Sequence, residues 1–146
     1  MLWIQAAIVW LTLGLAVVVF VRSELKPLDA DELKITAGDL ATFSRSTQQL
    51  LTQHSHGDLT DTFFHSQLSL IKDKVTSEKR SLESSEAEDE IELEQRKTVE
   101  SAKRLETAID VANAEPHDHI AGNELEALHQ TFKSIEDDLT QKAEAK

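Results

Sequence analysis

The sequence predicts an all-α protein: one N-terminal transmembrane helix followed by an elongated antiparallel helical bundle or rod. Three observations carry that expectation. Residues 2–21 hold no formal charge, whereas the rest of the chain carries the whole net charge of −12. Beyond position 29, apolar residues recur at spacings of three and four, the period of a half-buried helix, and no alternating strand pattern appears. Only two Pro and four Gly occur in 146 residues, so few points break a helix. The expected organisation is an anchor over 1–24, a linker over 25–29, and an acidic helical bundle or coiled-coil domain over 30–146.

The opening stretch, MLWIQAAIVWLTLGLAVVVFVR, carries its first charge at Arg22. As a helix it is long enough to match the thickness of a bilayer core, roughly 30 Å. Trp3 and Trp10 are aromatic residues of this stretch, with Trp3 placed for the interface, and Arg22 can snorkel at the other end. Gln5 and Thr12 are polar but uncharged. They stand seven apart, as do Ala7 and Gly14, a spacing suited to helix pairing. A cleaved leader would want a basic start and a small-residue cleavage site, and both are missing from this stretch. The reading is an uncleaved signal-anchor with a single pass. No Lys or Arg precedes it, against Arg22, Lys26 and Lys34 after it. The positive-inside rule then puts the N-terminus outside and the body in the cytoplasm. The opposite orientation leaves the body periplasmic or extracellular.

Pro27 separates anchor from body, and Asp29 with Glu32 three residues on has the pattern of a capping box. The first body helix is expected over 30–54, with Leu33, Ala37, Leu40, Ser44, Thr47 and Leu51 as its buried stripe and Phe43 and Leu50 beside it. Gly57 suits its C-terminal end. A second helix should start near 59, striped by Phe64, Leu68, Ile71, Val75 and Leu82. A third carries Ile91, Gln95, Thr98 or Val99, Ala102, Leu105, Ile109 and Ala112 and ends near Asn113. A fourth should open at Asn123, with Glu126 three residues on.

Between the second and third stripes lies a polar stretch, 76–90, without Gly or Pro. If it turns, the body is an antiparallel four-helix bundle. If it stays helical, the second and third helices fuse over about 59–113 into a rod of roughly 80 Å. Burial favours the bundle, because a rod has a thinner core, whereas local propensity favours the continuous helix. Lys79–Glu83, Glu92–Arg96 and Glu100–Arg104 are spaced to support it as ion pairs four residues apart.

Composition narrows the functions. A net charge of −12 excludes nucleic acid as an expected partner, since phosphate binding rests on Lys and Arg. Without cysteine there is no disulfide, thiolate nucleophile or Cys-ligated zinc. No phosphate loop, nucleophile elbow or metalloprotease motif occurs, so neither an enzyme nor a cofactor is expected. His54, His56 and His65 flank the first turn, and His117 and His119 lie in the last connection. In a bundle these would share one end and offer a candidate metal or pH-responsive cluster, although neither HSH nor HDH has helix-borne ligand spacing. The stripe Leu125, Leu128, Phe132, Ile135 and Leu139 is the cleanest in the chain. It is the expected face for a protein partner or a second copy.

The function expected is therefore a membrane-anchored helical interaction protein: a scaffold, spacer or adaptor in contact with the lipid bilayer. The alternatives are a sensory or ligand-binding bundle of membrane-receptor type, the metal- or pH-responsive bundle, and a phage lysis-type rod spanning the periplasm.

Overall fold

The computed structural model describes residues 27–116 and 119–144. Among them are four helices: α1, Ala30–Ser55; α2, Asp61–Ser84; α3, Glu92–Ala114; and α4, His119–Glu144. Successive helices run in opposite directions, and α4 returns beside α1 to close a four-helix bundle. One end, termed the near end, gathers Leu28, the α2–α3 connection and Lys142. The other, the far end, carries the α1–α2 and α3–α4 turns.

The stripes expected from spacing are buried, except on α3, where Glu94 and Thr98 are buried while Gln95 and Val99 are only half-buried. On α1 the buried stripe is Leu33, Ala37, Leu40, Ser44, Thr47 and Leu51. On α2 it is Phe64, Leu68, Ile71, Val75 and Leu82. The caps follow local chemistry. Asp29 Oδ1 accepts from the Glu32 N–H at 2.9 Å and opens α1. Gly57 ends it in the left-handed region, at φ +79°. There the Asp58 N–H bonds back to the Gln53 carbonyl at 2.9 Å. Thr60 Oγ1 accepts from the Phe63 N–H at 3.3 Å and opens α2.

The continuous helix expected over about 59–113 does not form; the chain breaks at 85–91. Leu82 and Ile91 are both only 2 % exposed, and one straight helix would leave the stripes on either side of the break without a common core. Folding α3 back on α2 buries both, and that burial outweighs the helical preference of the polar residues between them. The break is also bonded. Gln95 Nε2 donates to the carbonyls of Leu82, at 2.7 Å, and Ser85, at 2.8 Å. These bonds satisfy the end of α2. The extended residues Leu28 and Ala87 form a parallel bridge. In it, the Leu28 N–H donates to the Glu86 carbonyl at 2.7 Å and the Glu88 N–H to the Leu28 carbonyl at 3.3 Å.

Helix α4 begins at His119, a turn before the Asn123 expected to open it. Pro116 follows the end of α3 at Ala114 by two residues and leaves room for the next helix to start sooner. The additional turn brings Ala121, 2 % exposed, into the core. Asn123 is an exposed residue inside the helix.

The closest helix pair is α1 with α4. Ala37, Ala41 and Ser44 keep that face of α1 narrow, so the backbones approach. Ser44 Oγ donates to the Leu125 carbonyl at 2.6 Å, and His129 Nδ1 donates to the Ala41 carbonyl at 3.0 Å. Here the expectation for Leu125, Leu128, Phe132, Ile135 and Leu139 is corrected. All five are buried inside the chain's own bundle, at 3 % exposure or less. Packing on α1 uses the stripe, and a partner would have to open the bundle to reach it.

Charged pairs join α2 to α3. Lys72 Nζ donates to Asp110 Oδ1 at 2.5 Å, Lys79 pairs with Glu106, and Lys103 lies 2.9 Å from Glu83. Of the pairs expected within a helix, Glu92–Arg96 forms at 2.5 Å. Lys79 turns instead to Glu106 on α3, and Arg104 to Glu124 on α4 at 2.7 Å. Both cations reach a carboxylate across a helix boundary.

The α1–α4 contact gives a mutational expectation. Phe132→Ala should lower the unfolding free energy by about 3–5 kcal/mol in urea titration, the cost of an emptied aromatic site. The Leu93 side chain is 60 % exposed. Leu93→Ala should change the same quantity by less than about 0.5 kcal/mol.

Candidate functional site

Three places on the bundle merit attention as sites: the histidine-bearing far end, the ionic near end, and the grooves between helices. The anchor residues Trp3, Gln5, Trp10, Thr12, Gly14 and Arg22 lie outside the described residues. Among the described residues, no helix is long and apolar enough to cross a membrane.

At the far end, His54 is tucked under the α1–α2 turn with its side chain 10 % exposed. Its Nε2 lies 2.8 Å from Asp61 Oδ1, and its ring stacks on Phe64 with centroids 4.2 Å apart. The hydrogen bond to His54, together with the histidine's charge, holds the Asp61 carboxyl below the usual aspartate range. His65 Nδ1 donates to Asn113 Oδ1 at 2.6 Å, linking the start of α2 to the last turn of α3. His56 is exposed at the end of α1. His117 and the side chain of His119 lie outside the described residues. Among those described, no group of three or more His, Asp or Glu is arranged to hold a metal ion. His54 and His65 each spend a ring nitrogen on fastening one helix to another.

At the near end, the Glu94 side chain is 6 % exposed and lies 2.9 Å from Lys142 Nζ. The same ammonium donates to the Glu90 carbonyl at 2.8 Å, so the last turn of α4 is fastened to the α2–α3 connection. Burial pushes the Glu94 carboxyl upward. Contact with Lys142, a bond to its own backbone N–H and the charge of Lys97 more than offset it, and the net direction is down. Around this pair the surface is acidic, with Asp31 and Glu32 in the first turn of α1 and Glu86, Glu88 and Asp89 in the connection.

Glu106, half-buried between α2 and α3, behaves similarly. Burial raises its carboxyl, but hydrogen bonds from Lys79 and Thr76 and the charges of Lys79 and Lys72 hold it below its ordinary value.

Two polar grooves, of about 470 and 280 Å³, lie between α2 and α3, and two less polar ones lie on other helix pairs. The first of the latter, about 390 Å³, lies between α3 and α4 over Ala108, Val111 and Ala121, with Arg104 and Glu124 at its rim. The second, about 310 Å³, lies between α1 and α2. Phe43, Leu50, Leu70 and Ile71 line it with Gln49, Gln53, Gln67 and Lys74, and no carboxylate appears among its lining residues. Lys74 Nζ sits 5.9 Å from the centre of the Phe43 ring. That is within range of a cation–π contact. Leu70 is half exposed, and so is Phe63, seven residues earlier on the same face of α2. Sequence reading placed Phe43 and Leu50 only as flanks of the α1 stripe and passed over Phe63 and Leu70. The available signal was a gap in charge: residues 40–57 and 62–72 contain no Asp or Glu in a chain that has 27.

No protein-family model, curated protein or solved structure matches the chain.

The ionic contacts set a pH dependence. Glu94 and Glu106 have folded values below the ordinary 4.5, so the stability they add is complete above that value and is lost as pH falls through their folded values. Urea midpoints should therefore drop on acidification below about pH 4.5. Glu106→Gln should cost about 1–3 kcal/mol at neutral pH, where Lys79 loses its counter-charge. It should also shrink the acid-induced drop; an unchanged acid limb would show that Glu106 does not contribute to it.

Proposed function

We propose that the protein is a non-catalytic, single-pass interaction protein: residues 2–21 hold it in the bilayer and the four-helix bundle acts as scaffold, spacer or adaptor. The observation that carries this reading is a division of apolar residues. Residues 27–144 build their core from their own stripes, the last of them closed by α4 on α1. The long uncharged stretch before position 22 is therefore not needed to complete that core, and lipid is the environment its composition fits.

The tether is short, only residues 22–27. At no more than about 3.3–3.6 Å per residue, it keeps Leu28 within roughly 20 Å of the headgroups. The acidic near end then faces the membrane. Repulsion from an anionic leaflet favours a bundle standing upright over one lying flat. Arg22, Lys26 and Lys34 support a cytoplasmic body. The test is carbonate extraction of the full chain combined with a C-terminal fluorescent reporter. The expected result is a protein that stays in the membrane pellet with a fluorescent, cytoplasmic C-terminus. Full-length chain in the soluble fraction would overturn the anchor, and a C-terminus accessible from outside would reverse the orientation.

The α3–α4 groove favours a second reading, a ligand-binding bundle of receptor type. Its apolar floor and the Arg104–Glu124 rim suit a small amphiphile carrying an acid group. A thermal-shift series with alkyl carboxylates should raise the melting temperature of the wild type more than that of Val111→Asp. Equal shifts, or none, would remove this reading.

A further inference from the structure

We propose that the α1–α2 groove is where a second copy of this chain docks, so that the interaction protein inferred above is itself a dimer through its far-end α1–α2 face. The proposal deepens that reading by assigning a surface to it. It is carried by the coincidence of an apolar groove with the absence of carboxylates.

Two copies of a chain with net charge −12 repel one another, and carboxylates trapped opposite carboxylates are strongly unfavourable. A homodimer therefore needs a surface on which those groups do not meet. Residues 40–57 of α1 and 62–72 of α2 supply one. Fold topology sets these two segments side by side at the far end, although a turn separates them in sequence. The two basic residues nearest the groove turn elsewhere: Arg45 to Glu126 on α4 at 3.0 Å, and Lys72 to Asp110 on α3 at 2.5 Å. Lys74 is the charged side chain that lines the groove, and it lies against Phe43. Carboxylates border the patch without lining the groove: Asp73 directly before Lys74, Asp39 four residues before Phe43, Glu78 four after Lys74, and Asp61, its side chain 85 % exposed, two before Phe63.

The apolar content fits an interface core rimmed mainly by amides, with Lys74 as its one charged lining residue. Phe43 and Leu50 stand seven apart on α1, as Phe63 and Leu70 do on α2, the spacing of successive anchors in helix-against-helix docking. Gln49, Gln53 and Gln67 can pair amide to amide across a two-fold axis, where each donor meets an acceptor of its own kind. A basic partner would instead be drawn to the acidic surfaces elsewhere on the bundle.

The chain contains no cysteine, so single introduced thiols report proximity without background. In the full-length protein in lipid nanodiscs, Leu70→Cys and Gln67→Cys should give disulfide-linked dimer under mild oxidation. Asp137→Cys, on the exposed face of α4, should give little. Leu70→Glu should weaken dimerisation about tenfold or more, measured by mass photometry, with the helical circular-dichroism melt unchanged. Equal crosslinking at all three positions, a monomer in the wild type, or a Leu70→Glu protein that still dimerises as the wild type does would overturn the proposal. So would protection of the introduced groove thiols by residues 1–26 of the same chain. Membrane extraction separates the two readings. A soluble dimer refutes the anchor alone, and a membrane-bound monomer refutes this inference alone.

Discussion

The structure depends on the contact between its first and last helices. Helices α1 and α4 are joined by no connection, yet they make the closest pair in the bundle. Small residues on α1 make the approach sterically possible. The Ser44 hydroxyl and the His129 ring, drawn away from water by such close packing, find acceptors in backbone carbonyls of the facing helix. The largest side chains of α4 fill the space behind them. Without this closure the α2–α3 hairpin would leave one apolar edge open, because neither of its helices has enough stripe to cover both sides.

That closeness has a geometric cost on the other side of α1. A helix drawn tightly against α4 stands further from α2, and α1 meets α2 through fewer residues than it meets α4. Phe43 and Leu50 are left at the edge of the core, and Leu70 stands half out of it. The groove between α1 and α2 is thus a by-product of the seam opposite. The α2–α3 pair is secured differently, by carboxylate–ammonium contacts along its length. The helix pairs thus differ in emphasis: ionic ties are densest between α2 and α3, small-residue packing marks the α1–α4 seam, and the α1–α2 groove is lined without a carboxylate.

The core was legible in the sequence because a helical stripe is a local pattern. Every residue assigned to the buried face of α2 from spacing alone is buried, and even the polar pair Ser44 and Thr47 on α1 was placed by period rather than by hydrophobicity. The break at 85–91 was legible only as one of two alternatives. Its residues are good helix formers, and what interrupts them is the burial of Leu82 and Ile91 in one core, a demand that exists only once the chain has folded back. Asn123 misled for a related reason: a cap pattern is short enough to occur inside a helix, and the position of Pro116 left room for an earlier start. The α4 stripe was read correctly as apolar and wrongly as available, because spacing shows that a face must be covered and not what covers it. The charge gap in 40–57 and 62–72 could be seen in one dimension, but its meaning arises when a turn lays the two segments together.

The bridge between Leu28 and Ala87 changes how the bundle would respond to mechanical load. Force arriving from the N-terminal side would otherwise peel α1 away from its first turn. Two backbone bonds from the α2–α3 connection grip Leu28 as a parallel pair, so a pull along the strand acts on them in shear, and the strain divides between the start of α1 and the connection beside it. The chain is thus clamped to a distant part of the fold before its first helix begins, and traction on the leading segment is spread into the hairpin instead of unravelling it turn by turn.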